Sequence, residues 1–177
     1  PDLAGVHVIL KPGHGGNEEQ IMRLAPRLSR RNFVSIGLRG PVCLGQNRKG
    51  ALGYSWGDAA HLPMLEDYIL DAIRQTRRQY HVHSERIYVA GFADGAALAY
   101  RIGLTFPDRI GGVIALNGHM PHEDRPLLRL PDVCSLKVFI AHGIANSVVP
   151  LSLASADRRL LYSAGVDVEM HRYPTNH

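Results

Sequence analysis

Short apolar runs alternate with amphipathic stretches along the chain. Residues 6–10 (Val6, His7, Val8, Ile9, Leu10) form a strand-length run that breaks at the turn Lys11-Pro12-Gly13-His14-Gly15-Gly16. Asn17 is placed to cap a helix with Glu18 and Glu19 in its first turn; Ile21, Met22, Leu24, Ala25 and Leu28 form its apolar face, and Pro26 kinks it. A second strand is predicted over 33–38. Residues 39–61 read as one long Gly-rich loop carrying Tyr54 and Trp56, and loops of that length are usually functional or mobile.

The clearest helix covers 62–80. Leu65, Ile69, Ala72 and Ile73 recur at i, i+4, i+7 and i+8, and Glu66, Asp67 and Asp71 precede Arg74, Arg77 and Arg78. A strand over 86–92 leads into a small-residue helix over 95–104 (Ala96, Ala97, Ala99, Gly103), which can lie close on a sheet. Strands follow over 112–116, 136–141 and 166–173, with a helix over 153–163 between the last two. Strands alternating with helices predict a single α/β domain, a mostly parallel sheet with helices on both faces. No repeat or linker divides it.

Composition narrows the classes. The 177 residues are 45% apolar and 20% charged, an ordinary globular balance for a chain that buries roughly 70% of its unfolded surface. Two cysteines, Cys43 and Cys134, exclude a disulfide framework and suit a reducing, cytoplasmic setting. No n-region or h-region opens the chain, so a signal peptide is expected to be absent or already removed, and no run approaches the ~20 residues of a membrane span. Of the 20 cations behind the net charge of +4, 17 are Arg. The pairs Arg30-Arg31, Arg77-Arg78 and Arg158-Arg159 stand near predicted helix ends, where the macrodipole favours them. No basic stripe is interleaved with aromatics, so nucleic-acid binding is not expected.

The candidate chemistry lies at the carboxyl ends of the strands. Gly91-Phe92-Ala93-Asp94-Gly95 has the frame of the nucleophile elbow, G-x-S-x-G, with Ala93 at its centre. Two more segments end strands there: Ala141-His142-Gly143-Ile144-Ala145-Asn146-Ser147-Val148-Val149-Pro150 and Tyr173-Pro174-Thr175-Asn176-His177. With Gly13-His14-Gly15-Gly16-Asn17-Glu18-Glu19, Arg39-Gly40-Pro41, Gly53-Tyr54-Ser55-Trp56 and Phe106-Pro107-Asp108-Arg109, these motifs run in an order that resembles the phospholipase/carboxylesterase family of serine α/β hydrolases, which includes acyl-protein thioesterases. The resemblance covers almost the whole chain. It implies the α/β-hydrolase fold, no cofactor, and a Ser–Asp–His triad whose positions fall on Ala93, Asn146 and His177. The oxyanion-hole N–H groups would belong to His14 and Asp94. Tyr54 and Trp56 either line an acyl pocket or merely anchor their loop, and His119 is a further candidate for the pocket. The family's usual C-terminal helix would lie beyond His177, and without it an apolar sheet face is expected to be exposed.

Four positions depart from the family around one site. Ala93 has no oxygen to attack with, and Asn146 is expected to favour the wrong tautomer of its histidine, a change that costs a serine protease about 10⁴ in turnover. An Asp carboxylate at 94 would oppose an oxyanion if turned inward, and Lys11-Pro12-Gly13 replaces Leu-His-Gly. Substitutes are weak. Asp94 stands one place past the elbow centre, Glu123 or Asp124 could replace the acid but supply no nucleophile, and Cys43 reads as a packed or exposed thiol. His81-x-His83 and His119-x-x-His122 lack the further ligands of a metal site. Two readings stay open: a catalytically impaired scaffold keeping a cleft for an acyl or ester ligand or a protein partner, or a serine carboxylic-ester or thioester hydrolase whose Ser and Asp were mutated away.

Overall fold

A computed structural model of the chain describes residues 5–10, 16, 18–23, 25–28, 33–46, 50–80, 86–121 and 132–177. In chain order they form β1 (Gly5–Leu10), α1 (Glu18–Met22), α2 (Ala25–Leu28), β2 (Phe33–Leu38), β3 (Val42–Gln46), β4 (Leu52–Ser55), α3 (Leu62–Gln79), β5 (Ile87–Phe92), α4 (Asp94–Thr105), β6 (Gly112–Leu116), β7 (Lys137–Gly143), α5 (Leu151–Ser163) and β8 (Asp167–Tyr173). Six strands make one sheet in the order β2-β1-β5-β6-β7-β8, and every pairing in it is parallel. The order reverses between β1 and β5, the kind of switch point where such sheets bind ligands.

Alternation along the strands sets the two faces. Ile87, Val89, Val113, Ala115, Val138 and Ile140 are buried on one of them, with Leu65, Ile69 and Ile73 of α3, Leu98, Ala99 and Ile102 of α4, and Ala154 and Leu161 of α5. Each of the Val, Leu and Ile side chains contributes about 1.5–3 kcal/mol through its removal from water, and the alanines less. Gly103 is needed for this packing, because a β-carbon there would lie 2.3 Å from Val113 Cγ2. Arg101 Nε, 2.6 Å from Glu66 Oε1, ties α4 to α3 at the edge of the core.

The other face is more thinly covered by the described residues. Its helices among the described residues are α1 and α2, where Met22 and Ala25 pack with Phe92. Farther along the sheet Tyr88, Ile114, Leu116 and Phe139 are half-buried and line or adjoin a hollow of about 320 Å³.

Three elements differ from expectation. The stretch 39–61 is partly regular, since β3 and β4 pair as an antiparallel hairpin and a 3₁₀ turn, Ala59–His61, leads into α3. Periodicity misses β3 because it is exposed from Cys43 to Gln46 and has no buried face to mark it. The first helix is two short ones, with Pro26 in the first turn of α2, where a missing N–H leaves no bond unmade. Helix α5 starts at Leu151, directly after Pro150. The expected cap Asn17 lies outside the described residues.

Substituting Gly103→Ala should destabilise the chain by about 1–3 kcal/mol through overpacking against Val113, measurable by urea denaturation. The half-covered face should bind an apolar dye such as ANS in the native state, and Phe139→Ser should reduce that signal.

Candidate active site

The centre of the site is the junction of β5 and α4. Ala93 there has φ 50° and ψ −117°, a conformation that side chains with a β-carbon rarely adopt and that costs about 1–3 kcal/mol. The reversal is tight enough to forbid β-carbons around it. One at Gly91 would sit 2.0 Å from the Gly95 carbonyl oxygen, and one at Gly118 would meet Ala96 Cβ at 2.4 Å and the Ala93 carbonyl oxygen at 2.6 Å. The Ala93 N–H donates to the Leu116 carbonyl at 3.0 Å, pinning the turn to the end of β6. Asp94 is the first residue of α4, so its backbone N–H belongs to the helix-end donors that have no intrahelical acceptor, at the positive end of the dipole.

Loops after β7 and β8 bring the next two residues together. Asn146 is 7% exposed. Its Oδ1 accepts the backbone N–H groups of Val148 and Val149, both at 2.9 Å, and lies 3.2 Å from His177 Nδ1. Asn146 Nδ2 is buried without a partner among the described residues. The His177 ring also meets Phe92, the residue before Ala93, edge-on at 4.8 Å between centroids. Asn146 and His177 are thus in direct contact, and the histidine ring reaches the residue before Ala93, although the three positions follow three separate strands.

The same loops are fastened by groups that motif reading did not single out. Asn176 Oδ1 accepts the N–H of Ser147 at 3.0 Å and of His177 at 2.8 Å. The Ile144 N–H donates to the Tyr173 carbonyl and the Ala145 N–H to the Thr175 carbonyl. Asn117, at φ 50°, accepts the Gly143 N–H at 2.8 Å. Asp157, fully buried in α5, accepts the Met120 N–H at 2.7 Å. Asn117 carried a usable signal, since Asn tolerates the left-handed region at a strand end. Asp157 lies on a helix face that periodicity assigns to apolar residues, so its role was not legible.

Beside the elbow is a cavity of about 240 Å³ lined by Trp56, Leu62, Leu65, Asp94, Leu98 and Arg101, among others. Asp58 is also on its wall. The Asp58 carboxyl is held below the ordinary carboxylate range, first by its contact with His61 and then by the Ala60 N–H. Of the three expected pocket residues, Trp56 is the one that lines this cavity. Tyr54 has the surroundings of the other expected role, a loop anchor: it is buried, Arg39 lies 4.7 Å over its ring, and its N–H donates to the Gly16 carbonyl. Glu18 accepts from Arg39 and raises its already high pKa further, chiefly through that hydrogen bond. His119 is half-buried, with Nδ1 2.9 Å from the Met120 carbonyl, and does not line the cavity.

His14, the other expected oxyanion donor, lies outside the described residues, as do Lys11, Pro12, Gly13, His81, His83, His122, Glu123 and Asp124. Among the described residues no group of three or more His, Cys, Asp or Glu side chains is placed to hold a metal ion, and no helix is long and apolar enough to cross a membrane. Cys43 and Cys134 are both exposed free thiols.

Comparison with known proteins bears on the family and the fold. The family model described as Phospholipase/Carboxylesterase matches residues 7–177. Acyl-protein thioesterase 1 of Mycosarcoma maydis is 38% identical over 100 residues, covering 54% of this chain and 42% of that protein. A probable carboxylesterase of Oryza sativa subsp. japonica is 29% identical over 138 residues, covering 71% and 52%. The chain thus spans about half the length of the curated relatives it matches. The crystal structure of esterase PE8 superposes with a TM-score of 0.80 at 22% identity, covering 99% of this chain and 86% of that one. At that identity the likeness speaks for the fold.

Two outcomes test the local geometry. Ala93→Gly should be neutral or stabilising by about 1 kcal/mol in denaturant unfolding, because relief of backbone strain offsets the usual entropic cost of glycine. An NMR titration should place the Asp58 carboxyl midpoint below the roughly 3.9 of a free aspartate, and His61→Ala should move it back up. Because that pKa is lowered in the folded chain, the Asp58–His61 brace is complete at neutral pH and is lost as pH falls through the carboxylate range.

Proposed function

The chain belongs to the phospholipase/carboxylesterase family, and on that premise we propose that it is a catalytically impaired hydrolase scaffold that binds a neutral acyl or ester ligand beside the elbow. The observation that carries this reading is Ala93 in its left-handed turn. A methyl group stands where the family's nucleophilic oxygen would be, so no bond to a carbonyl carbon can form there and no acyl-enzyme accumulates. The acid position, Asn146, has no carboxylate to stabilise a protonated histidine.

The retained parts support binding. The cavity beside the elbow has apolar walls at Leu62, Leu65 and Leu98 and two carboxylates, Asp58 and Asp94, at its polar side. Its cation, Arg101, is engaged by Glu66. A site of that polarity favours an uncharged ester over a carboxylate anion, which the acids repel. An acyl group on a protein partner would offer the same chemistry on a larger ligand.

A second reading, a serine carboxylic-ester or thioester hydrolase whose Ser and Asp were replaced, is favoured by one observation. Asn146 and His177 remain in contact at 3.2 Å although an amide stands in the acid position.

Trp56 is the chain's single tryptophan and lines the cavity, so its emission reports occupancy. Methyl hexanoate should change that emission saturably, and hexanoate should bind several-fold more weakly. Hydrolysis of p-nitrophenyl butyrate should stay within the roughly 10³–10⁴-fold over water that a site without its nucleophile retains. Enzyme-like turnover by the chain as it stands would contradict the impaired reading, and no saturable response to the neutral ester would remove the binding role.

A further inference from the structure

We infer that Asn146 is a positioning residue that holds His177 with its proton on Nδ1, leaving Nε2 unprotonated as a competent base, so that Ala93 is the main chemical deficit of the site. This deepens the hydrolase-scaffold reading above and rests on it. It reverses the expectation from residue type alone that asparagine selects the wrong tautomer.

The amide cannot be turned round. Peptide N–H groups donate and never accept, and those of Val148 and Val149 both point at the same side-chain atom of Asn146 at 2.9 Å. If Nδ2 occupied that place, donors would face donors, and the two backbone N–H groups, that of Val149 buried, would lose their acceptor. The observed orientation leaves only the amide's Nδ2 without a partner among the described residues. Residue 149 is held in turn by His142, 1% exposed, whose Nε2 lies 2.9 Å from the Val149 carbonyl and donates to it.

Once Oδ1 is the atom facing His177 Nδ1, the proton has one place to go. An amide oxygen accepts only, so the 3.2 Å contact is a hydrogen bond if Nδ1 carries the hydrogen and a lone-pair clash if it does not. In the neutral ring Nε2 then presents its lone pair. Asn176, by accepting the Ser147 and His177 N–H groups, keeps the histidine's backbone tied to the Asn146 loop.

In an Ala93→Ser variant this base has its substrate. The hydroxyl proton passes to Nε2 as the oxygen bonds to the ester carbonyl carbon, and Nε2 returns it to the departing alcohol oxygen as the C–O bond breaks. Water then repeats the exchange to release the acid.

The direct test is the ring-nitrogen correlation pattern of His177 in chain labelled with ¹⁵N-histidine, assigned with His177→Gln. The Nδ1–H pattern is expected in the chain as it stands, it should persist in Asn146→Asp, and it should be lost or mixed in Asn146→Leu. A Nε2–H pattern in the unaltered chain overturns the inference whatever the activity.

Turnover of p-nitrophenyl butyrate gives the second readout. Ala93→Ser alone should hydrolyse it, and adding Asn146→Asp should raise kcat by no more than about 10²-fold, the added effect of a charge on an already correct tautomer. A gain near the 10⁴ that separates wrong from right tautomer overturns the inference. If the Ala93→Ser/Asn146→Asp double variant is folded but inactive while His177 keeps the Nδ1–H pattern, the tautomer assignment stands and the hydrolase-scaffold reading fails.

Discussion

The turn from β5 into α4 brings helix and strand so close that a β-carbon at Gly91 would sit 2.0 Å from the Gly95 carbonyl oxygen, and the rest of the site is arranged around that approach. The close pass forces Ala93 into a positive-φ conformation and lifts it to the end of the sheet. It also sets the start of α4 beside the loop that follows β6. Gly118 extends the same constraint to the β6 loop, whose backbone lies against the Ala93 carbonyl. A strained turn of this kind persists only where its surroundings over-determine it. Here the Ala93 N–H, the Gly91 and Gly118 contacts and the burial of Ala96 and Ala99 all do so.

Polar groups at the site divide into those the fold satisfies and those it leaves alone. Asn117 and Asn176 each accept a backbone N–H from a neighbouring loop, while Asn146 accepts two from its own loop and meets His177 across the gap, so three amides stitch the ends of β6, β7 and β8 together. Asn146 Nδ2, His142 Nδ1 and Trp56 Nε1 are buried without partners among the described residues. The first is at the acid position itself, the second on the histidine that holds Val149 of the same loop, and the third on a cavity-lining residue, while the buried Tyr100 hydroxyl is a further such group within α4. Unsatisfied groups in a native protein call for an explanation, and a function at the same place is a common one.

Much of this was legible in the sequence because it rests on backbone requirements. Strands β5, β6 and β7 are apolar runs bounded by turns. Helix α3 shows its stripe at Leu65, Ile69 and Ile73, and the elbow shows its two glycines. The β3–β4 hairpin was not legible, since it is largely exposed and leaves no periodic mark. Place in the chain leaves Tyr54 open between pocket and loop anchor and makes His119 a pocket candidate. Their actual contacts, with Arg39 and with the Met120 carbonyl, depend on packing that no motif encodes. The orientation of the Asn146 amide belongs to the same class, for it is decided by two peptide N–H groups whose direction exists only after the loop has folded.

The central claim is that the site lacks its nucleophile and little else. Intact-mass measurement after exposure to a fluorophosphonate, which phosphonylates an activated serine hydroxyl, tests it most directly. The chain as it stands should gain no mass, whereas Ala93→Ser with Asn146 unchanged should gain one adduct, located at position 93 by peptide mapping. A folded Ala93→Ser variant that remains unlabelled, or labelling of the unaltered chain, would contradict the account.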